Sequence, residues 1–393
     1  MSREVDVAII GAGSAGLFAL SQVRRKTDNF VLIDGGELGT TCARVGCMPS
    51  KVLVQVAEDF HRRKIFEREG IEGGEALSVD VPEAMEHVQD LRDMFVDRTL
   101  GATDNLDETH LLEAYARFTS NDTLEVDGEE IRAQKVIIAT GTTPVIPAAW
   151  QDFAENIITT DDIFELEDLP ASMAVIGLGS IGLEIGQALS RLGVAATGAD
   201  QLETVAKLAD PEVNALAVDA IGKEFLLWLG TAAELEKHED GVKVTCGDKS
   251  VVVEKVLASL GRKPNLDQLG LENVDIELDQ RGIPVYDPHT MQVGDSSIFI
   301  AGDVNADRAL LHEAGHEGRV AGYNAVQEIT AFKRKTPLGI TFCDPNIATV
   351  GAQLDELNQD EIAIGEIQFG PVGRALIMAK NRGVLRVYAN KAD

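Results

Sequence analysis

A strand, a glycine-rich turn and a helix occur twice in this chain with one fixed spacing, and few folds can accommodate that. Val5-Asp6-Val7-Ala8-Ile9-Ile10 reads as a short β-rich strand that runs into Gly11-Ala12-Gly13-Ser14-Ala15-Gly16. Leu17 to Arg25 then reads as a helix, and Phe30-Val31-Leu32-Ile33 as a second strand ending at Asp34. The same order returns at Met173-Ala174-Val175-Ile176, Gly177-Leu178-Gly179-Ser180-Ile181-Gly182, a helical run from Leu183 to Leu192, and Asp200. Gly11, Gly13, Gly16 and Asp34 map onto Gly177, Gly179, Gly182 and Asp200 with a common offset of 166. The first glycine of such a turn permits the bend, the second lets the backbone approach a pyrophosphate, and the third lets helix pack on strand. The acid at the end of the second strand suits a ribose hydroxyl. The expected fold class is therefore α/β, with two Rossmann-like dinucleotide-binding domains and two nucleotide cofactors.

Each repeat continues in the same way. A β-meander is expected around Asp127-Gly128 (Thr123 to Ile131) and another around Asp240-Gly241 (Lys237 to Val253). An apolar strand and a glycine turn close each one, Val136-Ile137-Ile138-Ala139-Thr140-Gly141 and Val256-Leu257-Ala258-Ser259-Leu260-Gly261.

Within the first repeat lies Gly39-Thr40-Thr41-Cys42-Ala43-Arg44-Val45-Gly46-Cys47-Met48-Pro49-Ser50-Lys51. Two thiols this close can join in a disulfide, and a helix-forming run from Lys51 to Arg63 places them near a helix N-terminus, where the dipole favours thiolate. With no secretory signal expected before the first strand, the compartment should be reducing, and such a pair is then catalytic or redox-sensing. Half a metal site and two buried thiols are the competing readings. Cys246, in an alternating strand, and Cys343, near a turn, offer no paired spacing. Electron transfer links a redox pair to two nucleotide cofactors.

Composition excludes other classes. Asp plus Glu number 65 against 35 Lys plus Arg, a formal charge of −30, which opposes polyanionic partners such as nucleic acid or an anionic membrane surface. The acid excess also suits solubility at high salt. No apolar run reaches the ~18 residues of a membrane span, so a cytosolic, soluble chain is expected.

Taken together, these residues resemble the pyridine nucleotide-disulfide oxidoreductases, and within them dihydrolipoamide dehydrogenase. The cysteine segment, both glycine fingerprints, Ala139-Thr140-Gly141 and Gly261-Arg262-Lys263-Pro264-Asn265 carry the resemblance. So do Ile298-Phe299-Ile300-Ala301-Gly302-Asp303, similar to the second flavin motif, and the following Leu311-His312-Glu313-Ala314-Gly315-His316-Glu317-Gly318. The resemblance implies FAD on Gly11, Gly13, Gly16, Asp34, Lys51, Gly141 and Asp303, and NAD on Gly177, Gly179, Gly182, Asp200 and Gly261. It implies a glutathione-reductase-like division: 1–148 with 266–335 for FAD, 149–265 for NAD, and 336–393 as a partial α+β interface domain. Cys47 would be the flavin-proximal sulfur and Cys42 the interchange sulfur. Lys51 would stand beside flavin N5, with Glu184 holding it; the competing reading of both is a solvated helix charge. Asp200 accepts ribose hydroxyls and repels a 2′-phosphate, which favours NAD. The implied activity is electron transfer between a dithiol, such as dihydrolipoamide, and NAD, in a homodimer.

Departures and decoys remain. The family continues beyond the point where this chain stops, into a His-Pro-Thr segment and a glutamate that form an acid-base dyad serving the partner subunit. No histidine follows His316 here, so a fragment of a longer protein is expected, and an inactive cofactor-binding piece is the alternative of a different class. A glutathione-reductase-like enzyme would want NADP, and a mercuric-reductase-like one C-terminal thiols. His312-Glu313-Ala314-Gly315-His316 fits a zinc-protease pattern, but Gly315 and Gly318 weaken the helix it needs, and no metal is expected. Trp150 and Trp228 read as packing residues, and Lys333-Arg334-Lys335 as a solvated helix end or linker.

Overall fold

The structure, a computed structural model, describes residues 3–392. It divides into two compact units. The first comprises residues up to 48, 92–143 and 262–335; the second comprises 49–91, 144–261 and 336 onward. The fold is mixed α/β, built on a parallel Rossmann-like sheet in each unit.

In the first unit five strands run parallel in the order Leu111–Leu112, Phe30–Ile33, Arg3–Ile10, Glu129–Ile138, Ile298–Ile300. These strands are apolar because both sheet faces are covered. Along the central strand Val7 and Ile9 pack with Ala15, Ala19 and Val320 on one face, while Ala8 and Ile10 join Phe118, Leu124 and Ile131 on the other. The N-terminal part of Glu129–Ile138 also pairs antiparallel with Thr123–Val126 through the expected Asp127-Gly128 turn. Both turn residues have positive φ, 50° and 80°, which matches the twist of a two-residue hairpin.

The second unit repeats the plan. Leu226–Leu229, Ala195–Asp200, Ser172–Ile176, Lys255–Ala258 and Ile157–Ile158 form a parallel sheet in that order. Its meander is Glu234–His238, Gly241–Cys246 and Lys249–Val253. Here the sequence reading is off by one residue: His238 pairs with Gly241, so the loop is Glu239-Asp240. Gly241 is needed for another reason, since a Cβ there would lie 2.2 Å from the Val253 carbonyl oxygen.

Two helix readings also need correction. The helix expected from Lys51 begins at Cys47 and runs to Arg62. Pro49 lies in its first turn, where a missing N–H costs nothing. Lys333-Arg334-Lys335 lies in irregular chain, and Arg334 is only 14% exposed, held by Asp307, Glu313 and Glu317 rather than by water. Trp150 and Trp228 are core residues. Beyond residue 336 the chain forms two antiparallel hairpins, Leu338–Thr341 with Ile347–Val350 and Ile362–Gln368 with Val384–Asn390. Among the described residues no helix is long and apolar enough to cross a membrane.

Candidate active site

The first glycine turn joins strand Arg3–Ile10 to helix Ser14–Val23. A Cβ on Gly11 would sit 2.3 Å from the Ala139 oxygen, and one on Gly16 would sit 1.8 Å from the Gly11 oxygen. The chain itself therefore requires those two glycines. It does not require Gly13, whose φ is −70° and whose Cβ would meet nothing within 4 Å. Gly13 also caps the helix without a side-chain hydrogen bond. Open space before uncapped helical amides is what a pyrophosphate needs.

The second turn is built the same way. A Cβ on Gly177 would lie 2.4 Å from the Ser259 oxygen, and one on Gly182 1.9 Å from the Gly177 oxygen. Gly179, at φ −68° before helix Ser180–Arg191, again meets nothing. The acids match as well. Asp34 accepts from the amides of Ala12 (2.5 Å) and Gly36 (2.9 Å), and Asp200 from those of Leu178 (2.7 Å) and Leu202 (2.9 Å). Each carboxylate thus fastens its own glycine turn while keeping lone pairs for further donors. Both cradles fit a dinucleotide.

Gly141 and Asp303 lie in the first unit with Gly11. Asn265 brackets the Gly141 turn, donating to the Thr140 carbonyl (3.0 Å) and, from its amide, to that of Gly141 (3.0 Å). The Asp303 turn follows strand Ile298–Ile300, and its Gly302 would place a Cβ 2.8 Å from that of Ala15. Asp303 therefore borders the first helix. Burial raises its carboxyl above the ordinary range, opposed by the charge of Arg262. Among the described residues no other side chain hydrogen-bonds this carboxylate, so it suits ligand hydroxyls. Gly261 lies in the second unit, on the loop that packs over Gly177; its carbonyl accepts from the Val145 amide (3.0 Å).

Cys42 sits in the one-turn helix Thr41–Arg44 and Cys47 opens Cys47–Arg62; both are partly exposed. Thr40 caps the short helix, accepting from the Ala43 amide (3.2 Å), and does so at φ 63°, ψ 142°. That backbone is costly for a β-branched residue. Cys246 and Cys343 are buried, and burial raises both thiols, Cys343 to about 12. Thiolate chemistry is disfavoured at both.

In the second unit the structure brings Lys51 and Glu184 together: Nζ donates to Oε2 at 2.6 Å, and the Lys51 ammonium lies 4.9 Å from the centre of the Phe342 ring. Glu184 is 5% exposed, and its other oxygen accepts from the Phe342 amide (2.8 Å). It belongs to a stripe that sequence reading missed. Ser180, Glu184, Gln187 and Arg191 share one helix face and bond successively to Thr341, Phe342 and Asp344. Polar residues at helical spacing in an apolar helix were the available signal. His312 and His316 do lie on a helix, Leu311–Val326, and among the described residues no metal-ligating cluster forms.

Comparison with known proteins agrees with this geometry. The chain is 30% identical over 399 residues to a dihydrolipoyl dehydrogenase of Thermus scotoductus, covering 98% of this chain and 85% of that one. It is 29% identical over 403 residues to a mercuric reductase of Bacillus cereus, covering 98% of this chain and 62% of the relative. The solved structure of the HOCl-induced flavoprotein disulfide reductase RclA from Escherichia coli superposes with a TM-score of 0.84 at 21% identity, over 98% of this chain and 87% of that one. Residues 5–318 match the family model "Pyridine nucleotide-disulphide oxidoreductase", and the chain belongs to that family, whose members depend on FAD and use NAD(P)H.

Proposed function

We propose that this chain is a dihydrolipoyl-dehydrogenase-type oxidoreductase, passing two electrons from a dithiol to NAD through Cys42 and Cys47. The observation that carries the reading is the doubled cradle, in which a Cβ on Gly13 or Gly179 would meet nothing of the protein and the space before each helix is left for a ligand. Gly11, Gly13, Gly16, Asp34, Gly141 and Asp303 would hold FAD; Gly177, Gly179, Gly182, Asp200 and Gly261 would hold NAD. Lys51, steadied by Glu184, would supply positive charge to the flavin. The division into 1–148 with 266–335, 149–265 and 336–393, a cytosolic location and a homodimer belong to the same reading.

Bound FAD supplies the two-electron link between the cysteine pair and the nicotinamide. The chain's own part is thiol–disulfide exchange. One substrate thiolate attacks the Cys42 sulfur of the Cys42–Cys47 disulfide, forming a mixed disulfide and releasing Cys47 as thiolate. The second substrate thiolate then displaces Cys42, leaving substrate disulfide and a reduced pair. Placement of Cys47 at a helix N-terminus favours its thiolate, the better leaving group.

Anaerobic titration tests this. NADH and dihydrolipoamide should each bleach the flavin and raise a long-wavelength thiolate-to-flavin band. Cys42→Ser should abolish dithiol turnover and keep flavin reduction by NADH; surviving dithiol turnover would show that Cys42 is not the interchange sulfur. A mercuric-reductase-like activity, suggested by the second relative, would appear as NAD(P)H oxidation driven by mercuric ion.

A further inference from the structure

Glu317 is a carboxylate that the proposed relay does not use, yet it is wholly buried in the first unit. Its helix, Leu311–Val326, packs against helix Ser14–Val23 through small residues: a Cβ on Gly318 or Gly322 would fall 2.1 or 2.4 Å from the oxygens of Ala15 and Ala19. That close crossing carries Glu317 toward the turn following strand Ile298–Ile300. Its Oε2 accepts from the Gly302 amide (2.8 Å) and from Asn305 Nδ2 (2.7 Å), and its Oε1 from Arg334 Nη2 (3.1 Å).

The contacts close a ring. The Asp307 amide donates to Asn305 Oδ1 (3.0 Å), and Arg334 Nη1 donates to Asp307. Asp303 lies inside the loop so held, between Gly302 and Asn305. Gly302 has φ 82° and Ala306 φ 52°, so the loop is bent twice through left-handed backbone and needs outside support.

We propose that Glu317 is the positioning residue for Asp303, with Arg334 as its counter-charge, so that this ring sets how tightly the flavin is bound. The inference rests on the reading of Asp303 as a flavin ligand. A carboxylate is suited to the task because it accepts from all three donors at once. A glutamine must turn its own amide toward one of them.

The same burial gives a pH signature. Desolvation raises the Glu317 carboxyl to about 7, against the amide of Gly302 and the charge of Arg334. The charged and titratable groups around it are Arg334 from the linker, Asp303, Asp307 and Arg308 from the turn, Glu313 on its own helix, and Tyr286, whose hydroxyl burial pushes up. Below about 7 the acid is protonated and the charge-assisted bonds weaken. Fold stability runs the other way. A raised acid contributes stability that is complete below its unfolded value and is lost as pH rises through the folded one.

The test measures FAD dissociation and the visible circular dichroism of the bound flavin in the full chain, from about pH 6 to 8.5. Wild type should bind FAD more weakly as pH falls through 7. Glu317→Gln should bind about tenfold more weakly at pH 8, with a flattened pH profile and an altered flavin spectrum, yet unfold no earlier in the cofactor-free state. Arg334→Gln, which opens the ring but keeps the acid, should move the midpoint upward, and it decides the matter if Glu317→Gln does not fold. FAD binding and spectra like wild type in the folded variants would overturn the role of Glu317 alone. Failure of wild type to bind FAD would overturn the flavin reading, and this one with it.

Discussion

Thr40 shows what a single residue contributes to the cysteine segment. It holds φ 63° while its hydroxyl caps the turn that carries Cys42. Relief of that backbone strain is worth about 1–3 kcal/mol, and glycine costs only a few tenths as a cap relative to threonine. Thr40→Gly should therefore stabilise the protein by about 1 kcal/mol, read as a rise in urea midpoint. Thr40→Ala keeps the strain and drops the cap, and should lose about 1 kcal/mol in the same assay. A lower midpoint for Thr40→Gly than for wild type would show that the cap outweighs the strain. Residues of this kind were only half legible in the sequence. Gly11, Gly16, Gly177 and Gly182 could be read because each is demanded by backbone a few residues away or in the next strand. Thr40 and Glu317 could not, since nothing in their neighbours announces a left-handed threonine or a carboxylate aimed at a distant amide.

Helix Ser180–Arg191 is the element that does most to organise the second unit. Its apolar face builds the core through Leu183, Ile185, Ala188 and Leu189, while its polar stripe grips residues 341–344. The stripe ends at Arg191, only 5% exposed, which meets Glu58, Glu224 (2.8 Å) and Asp344 (3.0 Å). Removing Arg191 would take from Asp344 its buried cation and leave Glu58 and Glu224 to the more exposed Lys380 and Arg382. Arg191→Met should cost about 3–5 kcal/mol in equilibrium unfolding. A loss below ~1 kcal/mol would mean that water, Lys380 and Arg382 together compensate the acids. The sequence showed the helix from its period and its glycine start, but not what the stripe would touch. Its partner segment is about 150 residues further on, and only the tertiary fold selects it.

At the scale of the whole molecule the two-fold repeat read from the glycines extends to hydrogen bonds that the sequence did not announce. Asp34 on Ala12 and Asp200 on Leu178 obey the same offset as the glycines. What was not legible is how later segments are shared out: residues 49–91 and those from 336 onward group with the second unit, by contacts no local pattern encodes. Net charge is a further whole-molecule property. At −30, self-repulsion opposes the compact state and salt screens it, so the unfolding temperature should rise by several degrees between about 0.1 and 1 M KCl. A flat or falling curve would show that the acids are already compensated locally. The fastening of Asp200 to its own turn has a consequence for how this protein could diversify. Neutralising that acid to admit a 2′-phosphate would also release the Leu178 and Leu202 amides from their acceptor. On the proposed reading of Asp200 as an NAD ligand, preference between the two nicotinamide cofactors would be tied to the integrity of its own glycine turn. A change of cofactor at Asp200 would then need a second substitution to re-anchor the turn.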